Sequence, residues 1–290
     1  MLPGRLKSVP DVDRAFAREQ RVSLSRGSQE RTFLREVAGW DVRWQRLLFQ
    51  VLLPIDLLMK HRIDPVALTD PQGHPVAFAR PGGEQGSFRF ELYHTGGASE
   101  PMAELELVDT QFNQVEVVWV GLQDPTGYRY DVDILPGGGS SLRGTAGRNL
   151  VAEMAAMQAG LAPGQVRRGI GGFGWLVDRI DTLMLCLNQR DYVARPLFYH
   201  MAILFEHNGF SYVKGKALME EVGRGFAPGG VLRERLDGST PFRMPEQADT
   251  IRGRSWAIHD GVLPQGWDEV HMIKRLGIKA GIDTAPGVPW

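Results

Sequence analysis

From about residue 75 to 135 the apolar residues of this chain recur at every second position. That periodicity belongs to strands whose alternate side chains point to opposite faces. The candidate strands are 75–80, 87–94, 102–109, 113–121 and 128–134, and turn-rich pieces separate them: Pro81-Gly82-Gly83, Gly96-Gly97, Asp124-Pro125 and Gly127. Connections this short join antiparallel neighbours, so the segment predicts a meander. One face carries Phe88, Phe90, Leu92, Ala103, Leu105, Leu107, Val115, Val117, Trp119, Tyr130, Val132 and Ile134. The other carries Arg89, Glu91, Glu104, Glu106, Gln114, Glu116, Arg129, Asp131 and Asp133. A wet face is the ordinary reading of that second set; a carboxylate-rich cleft, or a metal site using His94, is the sharper one.

Helical spacing flanks the sheet. Residues 11–60 read as an N-terminal helical arm, in which Ser28 caps a helix beginning at Gln29 and Pro54 ends or kinks it. Further helices are expected at 146–160, 172–189, 192–208 and 214–226, with Gly160 and Gly209 as the residues just past two helix ends. Beyond 227 the text is loop-rich, with short elements near 252–258 and 267–276. The expected class is α+β: an antiparallel sheet of about five strands (75–135) between N-terminal and C-terminal helices, in one compact unit of 290 residues.

Composition narrows the function classes. The 33 basic side chains balance 34 acidic ones, a net charge of −1. No basic surplus or tail points to nucleic acid or an anionic membrane. Cys186 is the only cysteine, which excludes an intrachain disulfide and fits a reducing, cytoplasmic setting. The N-terminus has no long apolar stretch of the secretory kind, and the run 47–59 is broken by Gln50, Pro54 and Asp56 and is too short to span a bilayer.

The stretch 131–160 holds the leading candidate site. An alternating strand enters a Gly/Ser loop that carries Arg143 and Arg148 and opens into an Ala/Met-rich helix. Backbone N–H groups at such a junction, aided by the helix dipole, suit an anion. Gly138, Gly139, Ser141, Arg143, Gly144, Thr145 and Arg148 are the candidate cofactor-binding residues. The loop lacks the lysine of a P-loop and does not match GxGxxG. A plain strand–helix connection with exposed arginines is the structural alternative.

Arg143-Gly144-Thr145-Ala146-Gly147 after a strand, and Ala202 to Phe210 with its Phe205-Glu206-His207-Asn208-Gly209-Phe210 ending, resemble two segments of the GNAT-type acyltransferases. The upstream meander is similar too. The resemblance implies a loop that holds the pyrophosphate of an acyl-CoA. Two departures stand out: the spacing within 143–147 differs, and Phe205 occupies the place where a tyrosine often acts as general acid.

Three further groups are candidates for acid–base work. His200 lies in an apolar helix beside Tyr199. Its neighbour His207 is seven residues on, about 10.5 Å along the axis, too far to share a metal; no residue is assigned to metal. Glu153, five residues after Arg148, is either on a wet face or buried with a cationic partner such as Arg167 or Arg168. His259 belongs to the run 250–267, whose Arg252, Arg254, Ser255, Trp256, His259 and Asp260 are typical materials of a ligand loop, with Arg243 nearby. Ser, His and Asp stand too close in sequence there to assume triad geometry.

Two function classes follow. One is an enzyme acting on an anionic small molecule or a nucleotide-like, CoA-like cofactor, of which acyl transfer is the narrowest form. The other is a non-catalytic binding or assembly protein, including a homo-oligomer, that uses Trp- and Arg-rich surfaces.

Overall fold

The computed structural model describes residues 30–82, 86–141, 147–267 and 270–290. In chain order its α-helices are α1 (Leu34–Val37), α2 (Val42–Gln50), α3 (Ile55–Lys60), α4 (Leu150–Gln158), α5 (Phe173–Cys186), α6 (Tyr199–His207), α7 (Lys216–Gly225), α8 (Val231–Glu234) and α9 (Ile251–His259). Its strands are β1 (Ala77–Pro81), β2 (Ser87–Leu92), β3 (Ala103–Asp109), β4 (Val115–Leu122), β5 (Asp191–Ala194), β6 (Ser211–Lys214) and β7 (His271–Arg275). The class is α+β with mostly antiparallel strands. Two compact units divide the chain: Met1–Gly121 with Gly172–Tyr192, and Leu122–Gly171 with Val193–Trp290.

In the first unit the strands neighbour one another in the order β1-β2-β3-β4. The register pairs Phe88 with Leu107, Phe90 with Leu105 and Leu92 with Ala103. Alternation therefore brings the apolar members to one face, and Phe88, Leu92, Leu105, Leu107, Val115 and Val117 are all buried. Phe49 of α2 packs on that face, its ring centroid 4.3 Å from Phe90 and 5.0 Å from Phe88. The opposite face is laced by ion pairs: Arg89 lies 3.2 Å from Glu106 and 3.4 Å from Glu104, and Arg80 lies 3.7 Å from Glu91. The backbone N–H groups of Leu34 and Arg35, at the start of α1, donate to the Asp109 carboxylate of β3 at 3.1 and 2.9 Å. This satisfies two donors that a helix start leaves free.

Several expectations are corrected here. The range 75–135 holds four strands, not about five, and the strands number seven among the described residues. Residues 128–134 form no strand beyond a single bridge between Ile134 and Ser140. Arg129 is drawn onto Asp131 and Asp133, and Val132 N–H donates back to Tyr130 O, so local contacts bend this segment away from a ladder. Trp119 was expected on the apolar face; its half-buried indole N–H instead donates to Glu104 at 3.0 Å. The helix expected over 192–208 begins only at Tyr199: Tyr192 to Ala194 are strand, and Pro196 withholds an N–H and disfavours helix at the residue before it. Residues 34–60 of the N-terminal arm break around Gly39, which was not expected, as well as at Pro54, which was, giving three short helices; Ser28 lies outside the described residues.

The second unit is organised around α9. Trp256 is 1 % exposed, and its indole N–H donates to Leu161 O at 2.8 Å. Val132, Ala156, Leu161 and Val166 form a buried cluster that joins the 130s segment to α4 and the loop after it. Tyr130 N–H donates to Val166 O and Asp124 N–H to Arg168 O, both at 2.8 Å. Asn149 caps α4 by accepting from Ala152 N–H, while its amide donates to Asp131 O and Ile134 O. Gly160 and Gly209 follow the caps of α4 and α6 with φ of +78° and +85°, the left-handed conformation that ends a helix. Where β5 ends, the strand order is β5-β7-β6, and β6 pairs antiparallel to β7 through Ser211–Ile273 and Tyr212–Met272.

Candidate functional site

Arg148, Glu153 and His259 come together in the second unit. Arg148 precedes α4, Glu153 lies in its first turn, and His259 closes α9. The Arg148 guanidinium forks between two carboxylates: Nε and Nη2 reach Glu153 Oε2, and Nη1 lies 2.6 Å from Asp260 Oδ1. Asp260 Oδ2 also accepts from Thr240 Oγ1 at 2.8 Å and from Arg243 Nε at 2.9 Å. The other Glu153 oxygen, Oε1, lies 3.5 Å from His259 Nε2, a looser contact than the Arg148 pairing. Two guanidinium groups and two carboxylates thus form a network that meets the imidazole through Glu153 alone.

Burial governs the electrostatics. Glu153 is 2 % exposed. Burial alone would raise its pKa, but the His259 and Arg148 contacts outweigh it and hold the carboxyl below its usual range. Asp260 follows the same balance, with Arg148, Thr240 and Arg243 overcoming burial. Burial opposes the charge on Arg148 too, and its two carboxylates outweigh that.

Aromatic rings wall the site. Phe198 sits between the two histidines, its centroid 5.7 Å from His200 in a stacked arrangement and 5.5 Å from His259 edge-on. Trp256 lies 6.0 Å from His259 and stacks on Phe242 at 5.2 Å, and Arg148 stands 5.0 Å above the Phe242 ring. His200 Nδ1 is 2.9 Å from Ser255 Oγ, and both residues are buried. Burial pushes the His200 imidazole down to about 3, with smaller contributions from Arg252 and His259, so the ring is neutral, and its tautomer sets which partner donates in the Nδ1–Ser255 Oγ pair. This is a satisfied interior pair; His259, with 12 % of its side chain exposed, is the more accessible imidazole.

The glycine loop is described in part. Gly138 and Gly139 both have φ of +86° and occupy a tight turn closed by Gly138 N–H to Leu135 O and Leu135 N–H to Gly139 O. The Ser141 hydroxyl is buried and donates to Val132 O at 2.7 Å, which directs it to the backbone. Arg143, Gly144 and Thr145 lie outside the described residues. Arg148 points to Glu153 and Asp260. In the other GNAT-like segment, Phe205 and Phe210 are buried with centroids 4.6 Å apart, and Glu206 is buried and bonded to Tyr212 and Thr284.

Sequence reasoning looked for the Glu153 partner at Arg167 or Arg168 and found Arg148 only as a neighbour in number. The Asp260 and Thr240 contacts to the network were missed, since 112 residues separate Arg148 from Asp260 and no periodicity links them. Within the run 250–267, taken as a ligand loop with a short element near 252–258, the chain is helical from Ile251 to His259; this puts Arg252, Ser255, Trp256 and His259 along one side of α9. Among the described residues no group of three or more His, Cys, Asp or Glu is placed to hold a metal ion, and no helix is long and apolar enough to cross a membrane. No family model matches the chain, and no curated protein or solved structure matches it.

Proposed function

We propose that this chain is an enzyme acting on an anionic small molecule, with His259 as the general acid–base group and Glu153 as the carboxylate that orients it. The observation that carries this reading is the chain of contacts Arg148–Glu153–His259: a buried, charge-compensated carboxylate facing a partly exposed imidazole. A carboxylate behind an imidazole orients the ring and sets its tautomer, leaving the other nitrogen to exchange a proton with a bound molecule. Acyl transfer from a nucleotide-like, CoA-like donor is the narrowest form of this proposal, supported by the sequence likeness at 143–147 and 202–210.

The test is consumption of a compound from a pool of phosphorylated and carboxylated metabolites, followed by mass spectrometry. The parent chain should deplete a member of the pool, and His259→Gln should not. Equal depletion by both, or none by either, removes the enzyme reading. Native mass spectrometry of the purified chain adds the narrower test, since an adduct of CoA mass supports acyl transfer.

A second reading, assembly, has its own observation. Val42, Trp44 and Leu47 of α2 and Ile55 and Met59 of α3 are exposed apolar side chains on consecutive helices of the first unit. On this reading light scattering gives a mass above 32.3 kDa, and Trp44→Glu returns the monomer.

A further inference from the structure

Arg252 stands apart from the other arginines of α9 and its surroundings. Arg148 and Arg243 are bonded to carboxylates, Arg233 pairs with Asp249 at 2.9 Å, and Arg254 Nε donates to Ala248 O at 2.7 Å. Arg252 Nε is buried and, among the described residues, has no hydrogen-bond partner. Burial, and to a smaller extent the charge of another cation, Arg168, lower its pKa. A buried donor without an acceptor costs stability, and so do two neighbouring guanidinium groups without a carboxylate. Such an arrangement is relieved by an anion from solution.

The Arg252 guanidinium stands 5.5 Å above the Trp290 ring, which steadies it as a platform. Gly160 also lies beside this guanidinium: a Cβ added there would be 3.9 Å from Arg252 Nη1, an ordinary van der Waals contact. Arg168 is exposed and Trp290 is 39 % exposed, so the cation pair is reached from solvent.

We propose that Arg252 and Arg168 together bind the anionic group of a small-molecule ligand, a phosphate or a carboxylate, beside Trp290. A planar guanidinium offers Nε and Nη as a fork that matches two oxygens of either group. Arg252 and His259 are seven residues apart on α9, about 10.5 Å along its axis. A ligand held at Arg252 whose reacting centre meets His259 must therefore span roughly that length, as an extended nucleotide-like molecule does. The link to reaction rests on the acid–base reading above; the anion site itself does not.

The experiment is isothermal titration of the full chain with pyrophosphate and, separately, with citrate. At least one probe should bind, and the tighter one names the class. Arg168→Ala, a change at an exposed position, and Arg252→Gln should each weaken binding about tenfold or more, the scale of one charge-assisted hydrogen bond. His259→Gln should bind as the parent does. If neither probe binds in the millimolar range, or if both arginine variants bind like the parent, the site is overturned. Anion binding without His259-dependent turnover overturns the acid–base reading alone; His259-dependent turnover without anion binding overturns this site alone.

Discussion

Arg148 Nη1 lies 2.6 Å from Asp260 Oδ1, tying the residue that leads into α4 to the residue that ends α9. The same guanidinium neutralises Glu153, whose carboxylate is almost wholly buried. Arg148→Met strands that carboxylate in an apolar setting. It should cost about 3–5 kcal/mol in urea unfolding, the scale of breaking a buried pair from one side. Arg148→Met combined with Glu153→Leu should be more stable than Arg148→Met alone, because the buried charge goes with its partner. Equal or additive losses would show that the two groups do not depend on each other.

His200 imposes a pH dependence on stability. Its folded pKa is about 3 against an ordinary 6.5. Below pH 6.5 the unfolded chain takes up a proton that the folded chain refuses until about pH 3, so stability is full above that window and falls through it. The slope approaches about 1.4 kcal/mol per pH unit. Glu153 and Asp260 also have lowered pKa values, from 4.5 and 3.8, so their share is lost only at more acidic pH. Between pH 6.5 and 4.5 the loss should be smaller in His200→Gln than in the parent, measured by unfolding at several pH values. An unchanged slope would remove His200 as the cause.

Gly164 controls the ring between the two histidines. Its φ is +78°, and an added Cβ would lie 2.6 Å from Phe198 Cε2. Gly164→Ala should destabilise the chain by about 1–3 kcal/mol through overpacking. It should also shift the imidazole NMR signals of His200 and His259, against which Phe198 packs. Unmoved histidine signals would show that Phe198 yields without pressing on them.

Glu206 is the centre of a second buried cluster. It accepts from the Tyr212 hydroxyl, from Thr284 N–H at 2.9 Å and from Thr284 Oγ1 at 2.8 Å. Burial and the facing carboxylate push the Tyr212 phenol far above its ordinary range. Tyr212→Phe should therefore cost about 1–3 kcal/mol. In alkaline absorbance titration of the folded chain, the parent and Tyr212→Phe should ionise the same number of tyrosines. A tyrosine that ionises near pH 10 in the parent and is missing in the variant would contradict the pairing.

Local pattern carried the sequence reading a long way in some places. The alternation of Phe88, Phe90 and Leu92 against Leu105 and Leu107 foretold both the strands and their buried face, because a period of two leaves one arrangement that hides them all. Gly160 and Gly209 marked helix ends for an equally local reason, since a left-handed residue is needed there. Prediction weakened where short-range contacts compete. The alternating residues around Tyr130 and Val132 are held by Arg129 and its two aspartates, not by a neighbouring strand.

The α+β class, the apolar face of the β1–β4 strands and most helix ends were legible from residue order, because these depend on spacing within a few residues. The sequence also marked Glu153, His200, His259 and Arg148 as groups able to do chemistry. Tertiary structure decided which of them meet. Arg148 serves Glu153 and Asp260, His200 is spent on Ser255, and His259 is left facing a carboxylate. Charge pairing and burial are set by distances in space between residues far apart in the chain, and spacing along the chain carries no record of them.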